Sequence, residues 1–386
     1  MPEDMAPGVY IEEIPLAPHP IEGVSTSTAG FVGEALAGPL GEAVMMASFG
    51  DFEREFGGLD TGAELGYAVM QFFTNGGQRA WVVRVGGRHE VGDGLAALDG
   101  LDPAVNLVCL PGWSEDEVLE EAVAYCDLRR AFLVADPPGS DMAAATELAA
   151  RLAASGSANA AVYFPPVSVG DPLNGGRPRS SAPSGSVAGV IARTDIERGV
   201  FHPPAGVEAR LVGVTGLEVQ LTEDDARSLA ESGVNAIRSF PQGGIVVWGG
   251  RTVASGSSEW KYVNIRRLAL YLEHSLSDGL QWAVFEPNDV PLWMQVRQSV
   301  SGFLSGVWHG GGLQGQTSDE AFFVRCDRGV MTQNDIDNGR LVCLIGVAPV
   351  RPAEFVLFRI GIQTGATPTD RPAPHPWPPD ARPSWP

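Results

Sequence analysis

Between Asn106 and Phe164, short apolar runs alternate with helix-patterned segments, and this alternation limits the fold more than any other feature of the chain. Asn106–Leu110 reads as an apolar strand. Ser114, with Glu117 three residues on, has the capping-box pattern, in which two side chains satisfy backbone N–H groups that the first helical turn leaves free. The helix it opens runs to about Leu128. Ala131–Ala135 is the next strand, ended by Pro137 and Pro138. Thr146–Ala154 is helical in pattern, and Ala160–Phe164 is again a strand. Strand, helix, strand, helix, strand is the order of a small α/β layer, because each element has one apolar side to bury against the other kind.

The flanking segments add elements of both kinds. Ser27–Gly33, Ala43–Phe49 and Ala80–Val85 read as strands. Ser48–Phe56 starts as a short helix, and Gly62–Asn75 carries Leu65, Val69, Phe72 and Phe73 on one helical face. Val167–Ser186, rich in Gly, Pro and Ser, reads as a long loop. Helices follow at Ser186–Arg198 and at Glu223–Glu231, the latter capped by Thr222. Strand-like Asn235–Phe240 and Gly244–Trp248 precede a soft boundary. Beyond it, Val263–Leu276 and Pro291–Val307 are long helices. Trp282–Phe285, Ala321–Cys326, Leu341–Ala348 and Glu354–Ile360 are strands. The fold class is α/β, in the mixed α+β sense.

Both ends depart from this pattern. Gly8–Ile14 is a short strand bracketed by Pro7 and Pro15, followed by Ala17–Gly23, whose prolines and glycine exclude a helix. Such a linker is expected not to fold inward. The last sixteen residues hold seven prolines, so they suit neither a helix nor a central strand, and a disordered or polyproline-like tail is expected.

Length and composition bound the function. A chain of 386 residues with 44% hydrophobic and 19% charged residues has material for two or three folded domains. The formal charge of −21 disfavours nucleic acid and anionic membrane as partners and suits one with positive patches. Cys109, Cys126, Cys326 and Cys343 form no Cys-x-x-Cys pair and sit beside apolar residues, as buried free thiols of a reducing compartment do. No signal-peptide pattern opens the chain and no run of eighteen apolar residues occurs, so cytoplasmic synthesis is expected.

No motif points to catalysis. His309-Gly-Gly-Gly312 resembles the oxyanion loop of some hydrolases, but no Gly-x-Ser-x-Gly elbow accompanies it. Gly38–Gly41 and Gly243-Gly244 lack the spacing and the lysine of phosphate-binding loops. Asn334, Asp335, Asp337 and Asn338 lack the rest of a calcium loop and suit a helix cap. The six histidines are scattered. The expectation is no catalytic residue, no cofactor and no metal.

Several blocks together resemble the contractile phage-tail and phage-tail-like injection system tail sheath family. They are Asn264–Leu276, Phe285–Trp293, Cys326-Asp327 with Thr332–Arg340, Gly346–Phe355 with Phe358–Ile360, and Pro7–Ile14. The resemblance implies a multi-domain sheath fold whose C-terminal domain is completed by strands from neighbouring subunits. Six subunits would ring an inner tube, and rings would stack helically between a baseplate and a terminal cap. A metastable extended state would contract to drive the tube through a target envelope. The exchanging strands would carry Val9, Tyr10, Ile11 and Ile14 at one end and Phe355, Val356, Leu357, Phe358 and Ile360 at the other. Arg266, Arg267, Arg297 and Arg325 are candidates for tube contact. In this scheme residues 1–22 are an arm and linker, and 23–90 with 200–250 an inner or middle region. Residues 91–199 form an outward-facing domain, 251–361 a tube-facing domain ending in the arm 354–361, and 362–386 a tail. The alternatives are a sheath-like baseplate or cap component, or a soluble enzyme with its site in the loop after Phe164.

Overall fold

The computed structural model describes residues 19–257 and 259–353. Its strands are β1 (Ala29–Gly33), β2 (Ala43–Met46), β3 (Ala80–Arg84), β4 (Leu107–Cys109), β5 (Phe132–Ala135), β6 (Ala160–Phe164), β7 (Val167–Asp171), β8 (Arg177–Ser181), β9 (Val214–Leu217), β10 (Val234–Phe240), β11 (Gly244–Val247), β12 (Phe322–Arg325) and β13 (Leu344–Val347). Eight of them form one sheet in the order β11-β10-β6-β5-β4-β1-β3-β2. The inner pairings are parallel, and each edge is closed by an antiparallel strand, β2 against β3 and β11 against β10.

Parallel strands need crossovers, and crossover helices cover both faces, so such strands are apolar on both sides. The sequence obeys this residue by residue. Phe31, Val82, Leu107, Phe132, Val134, Ala161 and Tyr163 point to one face, into a core shared with the helices Leu65–Thr74 and Ser184–Arg198. Val32, Val83, Val108, Leu133, Ala160 and Val162 point to the other, under the helices Val91–Ala96, Asp116–Arg129, Met142–Ala154 and Glu223–Glu231. The first two helices cross at glycines. A Cβ on Gly185 would overlap the Ala68 carbonyl, and one on Gly189 would overlap that of Phe72.

The sheet draws strands from 29–84, 107–164 and 234–247 alike. The divisions expected at 90/91 and 199/200 therefore do not separate independent layers; one sheet crosses both. The expected loop Val167–Ser186 is instead mostly a hairpin. β7 pairs with β8 and β9 in a second, three-stranded sheet, and Val167 and Val169 are buried on its inner side. Ser114 does not cap its helix, which begins at Asp116 after Glu115 with no side-chain cap.

After Gly250 the chain builds a third core around two helices, Val263–Gly279 and Val290–His309. Leu268, Leu272, Leu292, Trp293, Val296, Val300, Phe303 and Leu304 fill it. The linker before β1 does fold inward here, against expectation. Ile21 is buried in this third core, His19 stacks on Trp282 at 4.1 Å, and the Val24 N–H donates to Ser275 Oγ at 3.1 Å. Prolines forbid a helix in this segment but leave its apolar side chains free to pack. Trp282–Phe285 is not a strand either. Gln281–Ala283 is a single 3₁₀ turn, and Phe285 takes φ +73° with its ring fully exposed.

Candidate assembly surface

β12 and β13 form a two-stranded antiparallel ladder, with Phe322 opposite Val347, Phe323 opposite Gly346, Val324 opposite Ile345 and Arg325 opposite Leu344. Directly paired residues share a face. Phe322, Val324 and Ile345 pack inward on the third core, whereas Phe323, Arg325 and Leu344 are exposed. The Phe323 ring covers the place a Cβ would take on Gly346. Among the described residues neither strand has a second neighbour in the sheet; just past β13 the chain pairs with Leu313 at Pro349, and 322–325 and 344–347 keep an edge with no third strand. Val342, Leu344, Val347 and Val350 add exposed apolar surface beside these edges. A two-stranded ladder is marginal by itself, and an open apolar edge is a template for another strand.

Polar side chains hold this surface in place. Asp289 caps the helix Val290–His309 by accepting from the Leu292 N–H at 3.1 Å. Asn288 accepts from Trp293 Nε1 at 2.8 Å and donates to the Arg340 carbonyl at 3.3 Å. In the excursion between β12 and β13, Thr332 and Asp335 form a reciprocal capping box on the short helix Gln333–Asp337. Arg340 closes on Asp335 at 3.0 Å. The hydrogen bonds from Thr332, then the one from Arg340, hold the Asp335 carboxyl below its ordinary value. These are turn and cap roles.

The four candidate arginines fall into two groups. Arg267 is not a surface residue: it is 4% exposed. It makes a two-pronged ion pair with the buried Asp195, at 2.9 and 2.7 Å, and donates to the Thr26 carbonyl at 2.7 Å. That contact joins the helix Val263–Gly279, the helix Ser184–Arg198 and the segment entering β1. Arg266 is also turned inward. It donates to Asn159 Oδ1 at 2.6 Å and lies over the Trp260 ring. Arg297 and Arg325 are exposed. The strand residues Val9, Tyr10, Ile11, Ile14, Phe355, Val356, Leu357, Phe358 and Ile360 lie outside the described residues.

No group of three or more His, Cys, Asp or Glu comes together as a metal site among the described residues. No helix among them is long and apolar enough to cross a membrane. His309 Nδ1 lies 2.7 Å from the Ser305 carbonyl and 3.3 Å from Ser305 Oγ at an exposed helix end. That is an end-of-helix contact one turn apart.

The family model for the phage tail sheath protein central domain matches residues 88–253, and that for the phage tail sheath C-terminal domain matches 255–363. The helical sheath of the anti-feeding prophage in its contracted state is 31% identical, covers 93% of this chain and 99% of that one, and superposes with a TM-score of 0.76. The chain belongs to the phage tail sheath family. The sheath complex of an extracellular contractile injection system, PVC, also in the contracted state, is similar at 29% identity and TM-score 0.77, over 94% of this chain and 98% of that one. The tail sheath protein of Vibrio phage KVP40 is 28% identical over 45% of this chain, and the match spans only 25% of that relative's length. The mixed α/β body with an appended helix-and-hairpin unit is thus a tail sheath fold. The junction of the two family models falls at 253–255, where the eight-stranded sheet has ended and the third core begins.

Proposed function

We propose that the protein is the structural subunit of a contractile sheath in a phage-tail-like injection particle, with no catalytic role. Copies assemble in the cytoplasm as six-fold rings stacked helically around an inner tube, between baseplate and cap proteins. Contraction from a metastable extended state drives the tube through a target envelope. No nucleic acid, cofactor or metal takes part.

The observation that carries this reading is the β12–β13 ladder, two strands wide and, among the described residues, without a third strand at either edge, on a sheath fold. Strands from neighbouring subunits complete it, through residues 9–14 and 355–360. Main-chain hydrogen bonds then tie subunits together while the bodies between them turn as rigid units. The packing of Ile21 and His19 against the C-terminal helices supports this, because it fixes where the N-terminal arm departs. Residues 251–361 face the tube and 91–199 face outward. Arg297 and Arg325, exposed on the C-terminal unit, are the remaining tube-contact candidates.

Electron microscopy of the chain co-expressed with its tube protein tests this, beside a variant lacking residues 1–18, which keeps the Ile21 anchor. Hollow helical cylinders from the intact chain, lost in the variant, are expected. A chain that stays monomeric with tube present defeats the sheath role. Cylinders that survive the deletion defeat the role given to the N-terminal strand.

A further inference from the structure

Cys326 and Cys343 lie where the β12–β13 ladder runs out. Its last pair is Arg325 opposite Leu344, so the next antiparallel position outward sets Cys326 opposite Cys343. Opposed residues in an antiparallel pair have Cα atoms about 4.5 or 5.5 Å apart, and disulfides form at Cα separations of about 4.4–6.8 Å. Both thiols are free. The two thiols influence each other's proton: the neighbouring Cys343, then burial, raises Cys326, while Cys326 lowers Cys343 against the effect of burial. Cys326 is buried while Cys343 is partly open to solvent. Cys343 is therefore the member that a dissolved oxidant reaches first. Cys109 and Cys126 are buried in the eight-stranded body, and burial raises both thiols.

We propose that Cys326 and Cys343 form an oxidisable dithiol, which a small-molecule disulfide converts to a cross-strand disulfide that locks the mouth of the β12–β13 hairpin. The Cys343 thiolate attacks one sulfur of the small disulfide, forming a mixed disulfide and expelling one thiolate. Cys326 loses its proton to solvent and attacks the Cys343 sulfur, expelling the second thiolate. Both cysteines are oxidised and the small disulfide is reduced to two thiols, so electrons balance. The bridge would sit beyond the end of the ladder and leave its edges open. It would fasten the excursion 327–342 to the hairpin, and this holds whatever strand occupies those edges.

The test is to incubate the folded full-length protein with oxidised glutathione, alkylate the remaining thiols, and map the products by mass spectrometry. Amide hydrogen exchange is followed in parallel. The expected product has lost two hydrogens in mass. Cys326 and Cys343 are linked, and Cys109 and Cys126 remain reduced. Exchange across residues 322–347 slows at least tenfold, and dithiothreitol reverses the change. The C326S variant should stop at glutathione on Cys343, and C343S should not react at the hairpin. Should either variant fail to fold, the wild-type map decides alone. Glutathione persisting on Cys343 of the wild type, or both thiols remaining open to alkylation, overturns the dithiol. A disulfide that leaves exchange unchanged overturns the lock.

Discussion

At Asp136, just past β5, a carboxyl group is buried where three donors converge. The Ser184 N–H donates to it at 2.7 Å, Ser184 Oγ at 2.7 Å and the Gly112 N–H at 3.1 Å. Burial pushes its pKa up to about 6, and these hydrogen bonds only partly oppose the rise. The sign follows from which state holds the proton. The folded value lies above the unfolded one, so between about pH 4 and pH 6 the native protein keeps a proton that the unfolded chain has released. Stability contributed at this site therefore falls as pH rises through that window. Its upper bound is about 3 kcal/mol. Urea unfolding at pH 4.5 and at pH 7 should show that fall in the wild type, with a shallower slope in Asp136→Asn, whose side chain does not ionise. Equal slopes would mean that Asp136 does not titrate in this range. A second prediction concerns Arg267. Breaking its buried pair leaves Asp195 charged and unpartnered, so Arg267→Met should cost about 3–5 kcal/mol in urea unfolding, and Arg267→Met with Asp195→Leu should recover part of the loss. Equal destabilisation in the single and double variants would show that packing, and not the stranded charge, sets the cost.

Among the elements, the β12–β13 ladder is the one most exposed to a single change. Gly346 is the position over which Phe323 lies, so Gly346→Val must displace that ring from the outer face. Cylinder formation should fall at least tenfold by sedimentation, while the near-ultraviolet circular dichroism of the eight-stranded body stays unchanged. Normal assembly by this variant would show that the outer face of the ladder is not buried in the sheath. The sequence made the helices and the parallel strands legible, because their apolar residues recur at the period of each element. It did not show the hairpin β7–β8. There Gly175, Gly176 and flanking prolines read as a loop, and the alternation of Val167 and Val169 is too short to stand out. The run Trp282–Phe285 misled for the opposite reason. Its residues favour strands, but Phe285 sits in the left-handed region and, among the described residues, the run pairs with no strand. Arg267 looked like a surface cation because its partner, Asp195, lies 72 residues away. The two strands of the candidate surface were readable, but their open edges were not. A strand's composition does not say how many neighbours it has.

For the whole molecule, the deciding quantity is the charge of −21, from 47 acidic and 26 basic side chains. Subunits that carry this excess repel one another before their edges meet. Strand addition is short-ranged and made of main-chain hydrogen bonds, which salt hardly weakens, whereas the repulsion acts through solvent and is screened over about 8 Å at physiological ionic strength and about 3 Å at 1 M. Sheath-only assembly should therefore rise with salt. Raising sodium chloride from about 0.05 M to about 0.5 M, which shortens the screening length severalfold, should increase the sedimenting fraction of purified subunit several-fold. Attachment to a tube through Arg297 and Arg325, which would meet acidic patches on it, should move the other way, because there screening removes an attraction. The two arms can be run on the same preparation, subunit alone and subunit with pre-formed tube. If subunit-only assembly instead falls steeply with salt, its interfaces are held by paired charges, and strand addition is not the dominant tie. If both arms rise together, the tube is gripped through apolar contact, and Arg297 and Arg325 lose their place as the charged residues that meet it.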